Sequence, residues 1–208
     1  MPPPGVTQFA LTSQGGTVRD PSTIYSHLMP GASDEDLLQN AVSMRVDAER
    51  SEGSVSIEVS ITNDQTGHHV PTDSPLRHLI LLLEVTDADG TPLQQLEGEQ
   101  LPEWCGDGDP GQGYYGGLPG KVYAKVLMES WTQVYPTGSY WNPTTVLSDN
   151  RLAAYETDTN TWVFSAFGEK PVQVHAQLLF RRAYIELMDQ KGWDVPDILM
   201  EEELLQLP

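Results

Sequence analysis

A short stretch of strict alternation constrains the fold of this chain more than any other feature. Residues 54–62 read SVSIEVSIT, and apolar side chains occupy every second position: Val55, Ile57, Val59 and Ile61. Successive side chains of a β-strand point to opposite faces, so the pattern predicts a strand that buries one face and exposes the other. Such a strand needs a second apolar layer to cover its buried face.

Other segments of strand character surround this one. MRVDAE (44–49) lies before it across a Ser-Glu-Gly turn, which predicts a hairpin. LRHLILLLEV (76–85) is apolar on both sides, as at the centre of a sheet. The turn Asp87–Gly90 predicts that TPLQQLEG (91–98) returns antiparallel. Alternation resumes in three later segments: 121–130, 161–167 and 172–180.

Helical patterns lie only at the margins. Ser33 is predicted to cap a short helix with Leu37, Leu38 and Val42 near one face. A second helix is predicted from residue 183 to its stop at Gly192, and DILMEEELLQL, which ends at residue 207, predicts a last amphipathic helix.

Together these patterns predict an all-β fold, an antiparallel immunoglobulin-like β-sandwich with short marginal helices. Residues 1–22 are rich in Pro, Gly, Ser and Thr without periodicity, and we interpret them as an extended N-terminal arm. The sandwich domain is predicted over residues 23–182 and a helical C-terminal tail over residues 183–208.

Composition excludes several classes of function. The chain has 208 residues, with 30 acidic against 11 basic side chains and a formal net charge of -19. That field repels phosphate, so we expect no nucleic-acid partner. The longest apolar run, Leu79–Leu83, is strand-sized and predicts no membrane span. Cys105 is the only cysteine, which excludes an internal disulfide and any covalently attached c-type haem.

No motif of enzymatic catalysis is present, so we predict that the chain is not an enzyme. It has no Gly-x-Ser-x-Gly, no His-Glu-x-x-His, no phosphate loop and no dinucleotide fingerprint. The long loop 102–120 is the one place where a catalytic site could be built, and no residue in it can be named for that role.

Two kinds of residue could bind a metal. Asp87 with Asp89, and Asp107 with Asp109, offer oxygen ligands for Ca²⁺ at alternate positions, although Asp-Gly turns also close ordinary hairpins. Histidines in predicted loops could ligate the iron or zinc of another chain: His27, His68 and His69. The other two histidines lie inside predicted strands, where a structural role is the usual one.

Four stretches carry a resemblance to a known family. They occur in the order SHLMPGASDEDLLQNAV (from 26), VSIEVSITNDQTGHHVPTDSPLRHLILLLEVTDADG (from 55), DNRLAAYETDTNTWVFSA (from 149) and VQVHAQLLFRRAYIEL (from 172). The chain between about residues 24 and 200 thereby resembles the haem-free β-domain at the C-terminal end of many bacterial multihaem c-type cytochromes. The positions that match the family's motifs are Asn63, Gly67, His68, Pro71, Thr72, Pro75, Arg77, Asp149, Asn150, Arg151 and Leu152.

The chain also departs from that family. It has no Cys-x-x-Cys-His site, the family's glycine after Pro-Thr is Asp73, and His69 is an additional histidine. The resemblance implies a β-domain without its haem region, located in the periplasm or elsewhere outside the cytoplasm. The N-terminal residues show no signal peptide, so from the sequence the protein is either cytoplasmic or numbered without its export signal. The resemblance gives the His68 loop two alternative roles, to shape the domain or to face and ligate a partner's haem.

Aromatic residues in loop-like segments predict a protein interface, or else caps on the open ends of the sandwich. They are Trp104, Tyr114, Tyr115, Trp131, Tyr135, Tyr140 and Trp141. We therefore predict a non-catalytic accessory subunit that docks on a cytochrome or a membrane redox complex, such as a photosynthetic reaction centre, and stabilises it. The alternatives are a module that supplies a histidine ligand to a partner's haem, and a Ca²⁺-dependent adhesion or carbohydrate-binding module.

Overall fold

The structure is a computed structural model that describes residues 10–23, 31–72, 74–168 and 170–208. The chain divides into two compact units, Met1–Ser33 and Asp34–Pro208. The described part of the first unit contains three 3₁₀ turns, at Thr12–Gln14, Pro21–Thr23 and Gly31–Ser33. The arm therefore includes local turns, and His27 lies outside the described residues.

The described part of the second unit contains nine strands, all paired antiparallel, in two sheets. They are β1 (Ser43–Ser51), β2 (Ser54–Thr62), β3 (His78–Asp87), β4 (Gln95–Glu97), β5 (Gly120–Glu129), β6 (Thr144–Asp149), β7 (Thr157–Ser165), β8 (Val172–Arg181) and β9 (Ile198–Leu207). One sheet has the order β1-β2-β7-β4 and the other β6-β5-β3-β8-β9. The all-β sandwich is confirmed. The order resembles the ABED and CFG sheets of immunoglobulin domains, with β5 and β6 added beside β3.

The two sheets bury the alternating faces that the sequence predicts. Val55, Ile57, Val59 and Ile61 of β2 are all 0% exposed. In β3, Leu79, Leu81 and Leu83 form one buried row, while Ile80 on the other face is also buried. Because β3 is covered on both faces, its sequence is continuously apolar where β2 alternates.

The long loop predicted to be functional is what covers the outer face of β3. Leu101 and Cys105 pack with Ile80, Val122 and Leu179 in a second apolar cluster outside the five-stranded sheet. Cys105 is fully buried, and this burial raises the pKa of its thiol to about 12. The thiol is therefore protonated and shielded at neutral pH.

A buried arginine anchors this covering loop. Arg181, at the end of β8, is 1% exposed. Its guanidinium donates to both carboxylate oxygens of Asp197, at 2.8 and 2.6 Å, and to the carbonyls of Cys105 and Gly113, at 3.2 and 2.6 Å. It also lies 5.0 Å from the ring centroid of Tyr115. One side chain thus joins the sheet, the loop and the segment before β9.

The two helices are short. Helix α1 spans Glu35–Gln39, and its N-cap is Asp34, which accepts from Leu37 N at 3.1 Å. The prediction of Ser33 as N-cap was wrong by one residue, and Leu37 is 59% exposed while Leu38 is buried. Helix α2 spans Ile185–Lys191 and ends at Gly192 with φ 63°, as predicted. No helix among the described residues is long and apolar enough to cross a membrane.

Two further predictions of secondary structure were wrong. The predicted helix over 197–207 is strand β9, so the tail is not wholly helical. β9 pairs with β8 over its whole length, and this tertiary pairing overrides a local helical pattern. The predicted return of residues 91–98 onto β3 stops at a bridge between Thr86 and Pro92, after which β4 joins β7 in the other sheet. The boundaries of the arm and the sandwich domain remain predictions.

The loops leave the sandwich at two opposite ends. At one end β2 leads into β3, β5 into β6, and β6 into β7, through residues 63–77, 130–143 and 150–156. We call this the motif end, because Val70 and Leu152 bridge two of these loops and both lie in the family motifs. The opposite end carries the turns after β1, β3 and β7.

A polar cluster joins the two sheets. Asp158 of β7 accepts at one oxygen from Lys121 Nζ (2.8 Å), Tyr123 Oη (2.8 Å) and Asn160 Nδ2 (2.6 Å). Burial acts to raise the pKa of Asp158, but these hydrogen bonds outweigh it and hold the pKa below the usual 3.8. The folded protein therefore favours the ionised carboxylate.

This cluster predicts a specific sensitivity to acid. The pKa of Asp158 is lower in the folded chain than in the unfolded one, so its stabilisation is present above the usual value of 3.8 and is lost as the pH falls further. Urea unfolding midpoints should drop as the pH falls below about 4. Asp158→Asn should be less stable at neutral pH and show a shallower drop. A variant with the same drop as the parent would contradict this assignment.

Candidate protein interaction surface

The loop between β2 and β3 is organised by one buried side chain, Asn63, which is 0% exposed. Its Nδ2 donates to the carbonyls of His68 (2.7 Å) and Leu152 (3.1 Å). Its Oδ1 accepts from Thr66 Oγ1 at 2.6 Å. Because a buried amide must satisfy its polar atoms, Asn63 ties the loop both to itself and to the loop before β7.

The neighbouring motif positions have unequal roles. Val70 N donates to Leu152 O at 2.9 Å, Leu152 N donates back at 3.0 Å, and the Val70–Pro71 peptide is cis. Arg77 Nη1 lies 3.5 Å from the carbonyl of Thr72. Gly67 lacks a left-handed φ, and a Cβ there would meet no atom within 4 Å. Neither the backbone conformation nor a close contact therefore requires a glycine at this position.

The later motif also binds backbone groups. Asn150 Nδ2 donates to Val122 O at 2.6 Å, and its Oδ1 accepts from Ala124 N at 2.9 Å, so the amide continues the pairing at the edge of β5. Arg151 donates through Nε and Nη2 to both oxygens of Asp149, at 2.7 and 2.8 Å. These bonds to Arg151 hold the pKa of Asp149 below its usual value.

His68 and His69 are both exposed on this braced loop. His68 Nδ1 lies 3.0 Å from the carbonyl of His69. When Nδ1 carries the proton and donates to that carbonyl, Nε2 has the lone pair that an external metal would bind. Among the described residues no group of three His, Cys, Asp or Glu side chains could hold a metal ion.

The predicted calcium ligands are used by turns at other places in the fold. Asp87 Oδ1 accepts from the backbone N–H groups of Asp89 and Thr91, both at 2.9 Å, and Lys170 Nζ lies 2.6 Å from Asp89 Oδ2. Asp109 caps a 3₁₀ turn by accepting from Gly111 N at 2.9 Å. Asp107 is exposed in the same covering loop. The structure brings no further ligand to either pair in its described part, and calcium binding remains a prediction without a formed site.

Three of the predicted interface aromatics pack against the domain itself. Trp104 lies edge-on to His78, with ring centroids 5.3 Å apart. Tyr115 lies beneath Arg181, and Tyr114 donates its hydroxyl to Asp189 at 3.0 Å. The aromatic residues that remain candidates for a protein interface are therefore those of the β5–β6 loop.

That loop holds a cluster of exposed apolar side chains at the motif end. Trp131 is 76%, Tyr140 89% and Trp141 71% exposed, and the rings of Tyr140 and Trp141 meet edge to face at 5.1 Å. We call the whole set the aromatic surface: Trp131, Val134, Tyr135, Tyr140, Trp141, Val146 and Leu147. Val134, Val146 and Leu147 were not predicted as interface residues, because nothing in their sequence context distinguishes exposed from buried apolar residues.

The aromatic surface carries no charge. Residues 130–148 contain no Asp, Glu, Lys, Arg or His, although charged residues make up 20% of the chain. Single exposed apolar residues are normal in soluble proteins, whereas several of them gathered on one loop and its adjoining strand mark a candidate contact surface. An uncharged surface on a protein of net charge -19 is therefore the best candidate for binding.

Glu129 holds the aromatic loop in shape. Its carboxylate accepts from Thr132 Oγ1 at 2.8 Å and from Asn142 Nδ2 at 3.2 Å, and these bonds lower its pKa. The backbone adds bonds from Glu129 N to Val134 O and from Thr137 N to Leu127 O, both 3.0 Å. The aromatic side chains are thus presented by an internally bonded loop, which reduces the entropy lost on binding.

His78 forms a buried aromatic cluster with Trp104 and Tyr184. It is 0% exposed and stacks on Tyr184 at 5.3 Å, and its Nδ1 lies 3.0 Å from Leu76 O. Burial lowers the pKa of His78 to about 3, so it is neutral at physiological pH. Its Nε2 has no hydrogen-bond partner in the described structure. The predicted structural role for a strand histidine fits this position.

The bonds of Asn63 give a testable expectation. Asn63→Ala should lower the free energy of unfolding by about 2 kcal/mol, because it removes the buried amide that bonds Thr66 and the carbonyls of His68 and Leu152. Urea denaturation would measure the change. Asn142→Ala, which removes an amide from the aromatic loop, is the matched control and should cost about 1 kcal/mol or less. Equal losses in the two variants would show that Asn63 has no special role.

Comparison with known proteins identifies the fold. Neither a protein-family model nor a curated protein matches the chain. Among solved structures, a penta-haem cytochrome c552 from Thermochromatium tepidum is similar, with a TM-score of 0.62 and 19% sequence identity. The match covers 85% of this chain and 42% of that one, so the chain spans less than half of that structure's length. At this identity the likeness establishes a shared fold.

Proposed function

We propose that this chain is a non-catalytic accessory domain of an electron-transfer assembly, which docks through its aromatic surface on a haem-bearing cytochrome or a membrane-bound redox complex, for example a photosynthetic reaction centre. The uncharged aromatic surface carries the proposal, because it gathers seven exposed apolar residues within residues 131–147 of an otherwise strongly acidic molecule. The fold shared with a penta-haem cytochrome supports the choice of partner and a location outside the cytoplasm.

The physical basis of docking is the burial of aromatic side chains. Trp and Tyr anchors supply much of the binding energy in protein interfaces, because each buries a large area and retains a polar atom for hydrogen bonding. The acidic remainder of the surface would steer a basic partner towards the domain and repel acidic ones. The domain's contribution is then to bind and stabilise its partner.

A second candidate function is to ligate the haem iron of a partner. Both His68 and His69 are exposed on a loop fixed by Asn63, at the same end as the aromatic surface. A partner seated on that end could receive an imidazole. The visible spectrum of the complex would then change in His68→Ala or His69→Ala, and unchanged spectra in both variants would exclude ligation by this pair.

The proposal is tested by purifying the protein gently from its own cells and combining native mass spectrometry with a visible spectrum. We expect a complex with a chain that carries the absorption of c-type haem. A colourless protein that runs alone would refute the proposal and leave only the shared fold.

The aromatic surface should be necessary for that complex. Combined replacement of Trp131, Tyr140 and Trp141 by Ala should weaken it by about 100-fold or more, because each anchor contributes about 1 kcal/mol or more. Phe167→Ala is the matched control, since Phe167 is 83% exposed at the opposite end of the sandwich. If the triple variant and the control bind equally well, the contact lies elsewhere.

A further inference from the structure

Strand β6 forms an edge of the five-stranded sheet and pairs, within the described structure, with β5 alone. Nearly all of it is exposed, including Val146 at 55% and Leu147 at 49%. An edge strand presents a row of unpaired backbone N–H and C=O groups to any extended chain beside it. The question is whether this edge is protected against such pairing.

The other long edge strands carry charges that discourage pairing. β1 contains Arg45, Asp47 and Glu49, and β9 contains three consecutive glutamates at 201–203. β6 has no charged residue before its last position, Asp149, which is paired with Arg151. It therefore lacks the charged side chains that natural edges use as protection.

The bonds on either side of β6 show which of its amides point outward. Ser130 N donates to Pro143 O at 2.9 Å, and Asn150 N donates to Ala124 O at 3.2 Å. In an antiparallel pair of strands, every second residue hydrogen-bonds to the neighbouring strand. Counting from these two bonds, and allowing for the register shift, the amides of Thr145 and Ser148 face β5. The amides of Thr144 and Val146 then face away from the sheet.

A bulge limits the length of this edge. The register of β5 and β6 shifts between Val126 and Leu127, and Leu147 has no partner in β5. A bulge bends its strand and often ends pairing. We therefore expect an added strand to pair with Thr144–Val146 and not beyond Leu147.

The residues around β6 indicate which kind of chain could pair with its outward edge. A groove of about 250 Å³ lies over the outer face of β5 next to β6, and its lining includes Val122, Val126, Trp104 and Leu147 together with Glu99. An added strand beside β6 would meet no charged side chain between residues 130 and 148, so an uncharged segment fits this edge. A second copy of this chain would bring another net charge of -19 to the same place, so a different, non-acidic protein is favoured.

We propose that the outward edge of β6 binds an extended, non-acidic segment of a partner protein, which adds a strand to the five-stranded sheet beside the aromatic surface. This inference rests on the proposed function for the nature of the partner. The pairing itself can be tested without any haem protein, so its failure and the failure of the proposed function are distinguishable.

The test measures amide hydrogen exchange of the purified chain, residue by residue, with NMR as the method of detection. In the chain alone, Thr144 and Val146 should exchange about tenfold or more faster than Thr145 and Ser148. The probe is the peptide acetyl-Lys-Thr-Val-Thr-Val-Thr-Val-Lys-amide. At saturation it should slow Thr144 and Val146 by about tenfold or more and leave Thr145 and Ser148 unchanged.

Two controls isolate main-chain pairing. The same peptide with its valine amides N-methylated should have no effect, because it keeps the side chains but loses the donors on one edge. Val146→Pro should remove an outward N–H without removing a bond to β5, and should abolish the protection. If that variant does not fold, the methylated peptide still distinguishes main-chain pairing from side-chain contact.

Three results would overturn the proposal. The first is no slowing at Thr144 and Val146 at the highest soluble peptide concentration. The second is equal slowing by the methylated peptide, which would mean side-chain contact alone. The third is protection that grows with the concentration of the chain itself, which would identify a second copy as the occupant.

Discussion

Replacing Asp197 by alanine should lower the free energy of unfolding by about 3–5 kcal/mol, since it leaves the guanidinium of Arg181 buried without its counter-charge. Arg181 is 1% exposed, and the Asp197 side chain is 12% exposed. The effect is measured by the urea concentration at the midpoint of unfolding. Hydrogen exchange should quicken in the covering loop around Cys105 and Gly113, whose carbonyls Arg181 also holds.

Asp194→Ala is the matched control, because Asp194 is exposed three positions earlier, and it should change stability by about 0.5 kcal/mol or less. The double variant Arg181→Met with Asp197→Leu removes both charges, and it should recover a large part of the loss. If Asp197→Ala costs no more than Asp194→Ala, the pair does not anchor the covering loop.

Replacing Trp162 by alanine should cost about 3–5 kcal/mol through the cavity it leaves. Trp162 of β7 is 0% exposed between the sheets, and its Nε1 donates to Glu99 O at 2.8 Å. Gly98 makes room for the ring, since a Cβ at Gly98 would lie 2.3 Å from Trp162 Cδ1. Thermal or urea unfolding would measure the loss.

The comparison variant for this prediction is Trp141→Ala, which should change stability by about 0.5 kcal/mol or less because its ring is 71% exposed. Gly98→Ala should also be strongly destabilising in the parent protein, and less so once Trp162 is alanine. Equal costs at Trp141 and Trp162 would contradict the division between a core and a contact tryptophan.

The central strands were predictable because their burial requires a regular pattern of apolar residues in the sequence. β2 and β8 alternate, and β3 is continuously apolar, since each is packed on one or two faces. β6 and β9 were not predicted as strands. They lie at the edges of the sheet, where pairing with one neighbour determines the conformation and leaves little periodicity.

The candidate site was predictable only in outline. The aromatic residues were recognised, but the sequence could not separate Trp104, which packs on His78, from Trp131, which is exposed, because the difference depends on where each loop lies. The motif positions pointed to Asn63 and Asn150 without revealing that both act by hydrogen-bonding backbone groups. No motif near Arg181 or Asp197 in the sequence predicts that these two residues form an ion pair.

The burial of Cys105 makes site-specific labelling of this protein simple. Its shielded, protonated thiol should not react with maleimides at neutral pH, so one cysteine added on the surface would be the single reactive position. Glu52→Cys, in the exposed turn after β1, would place a fluorophore at the end opposite the aromatic surface. Such a probe could follow partner binding by anisotropy without occupying the contact.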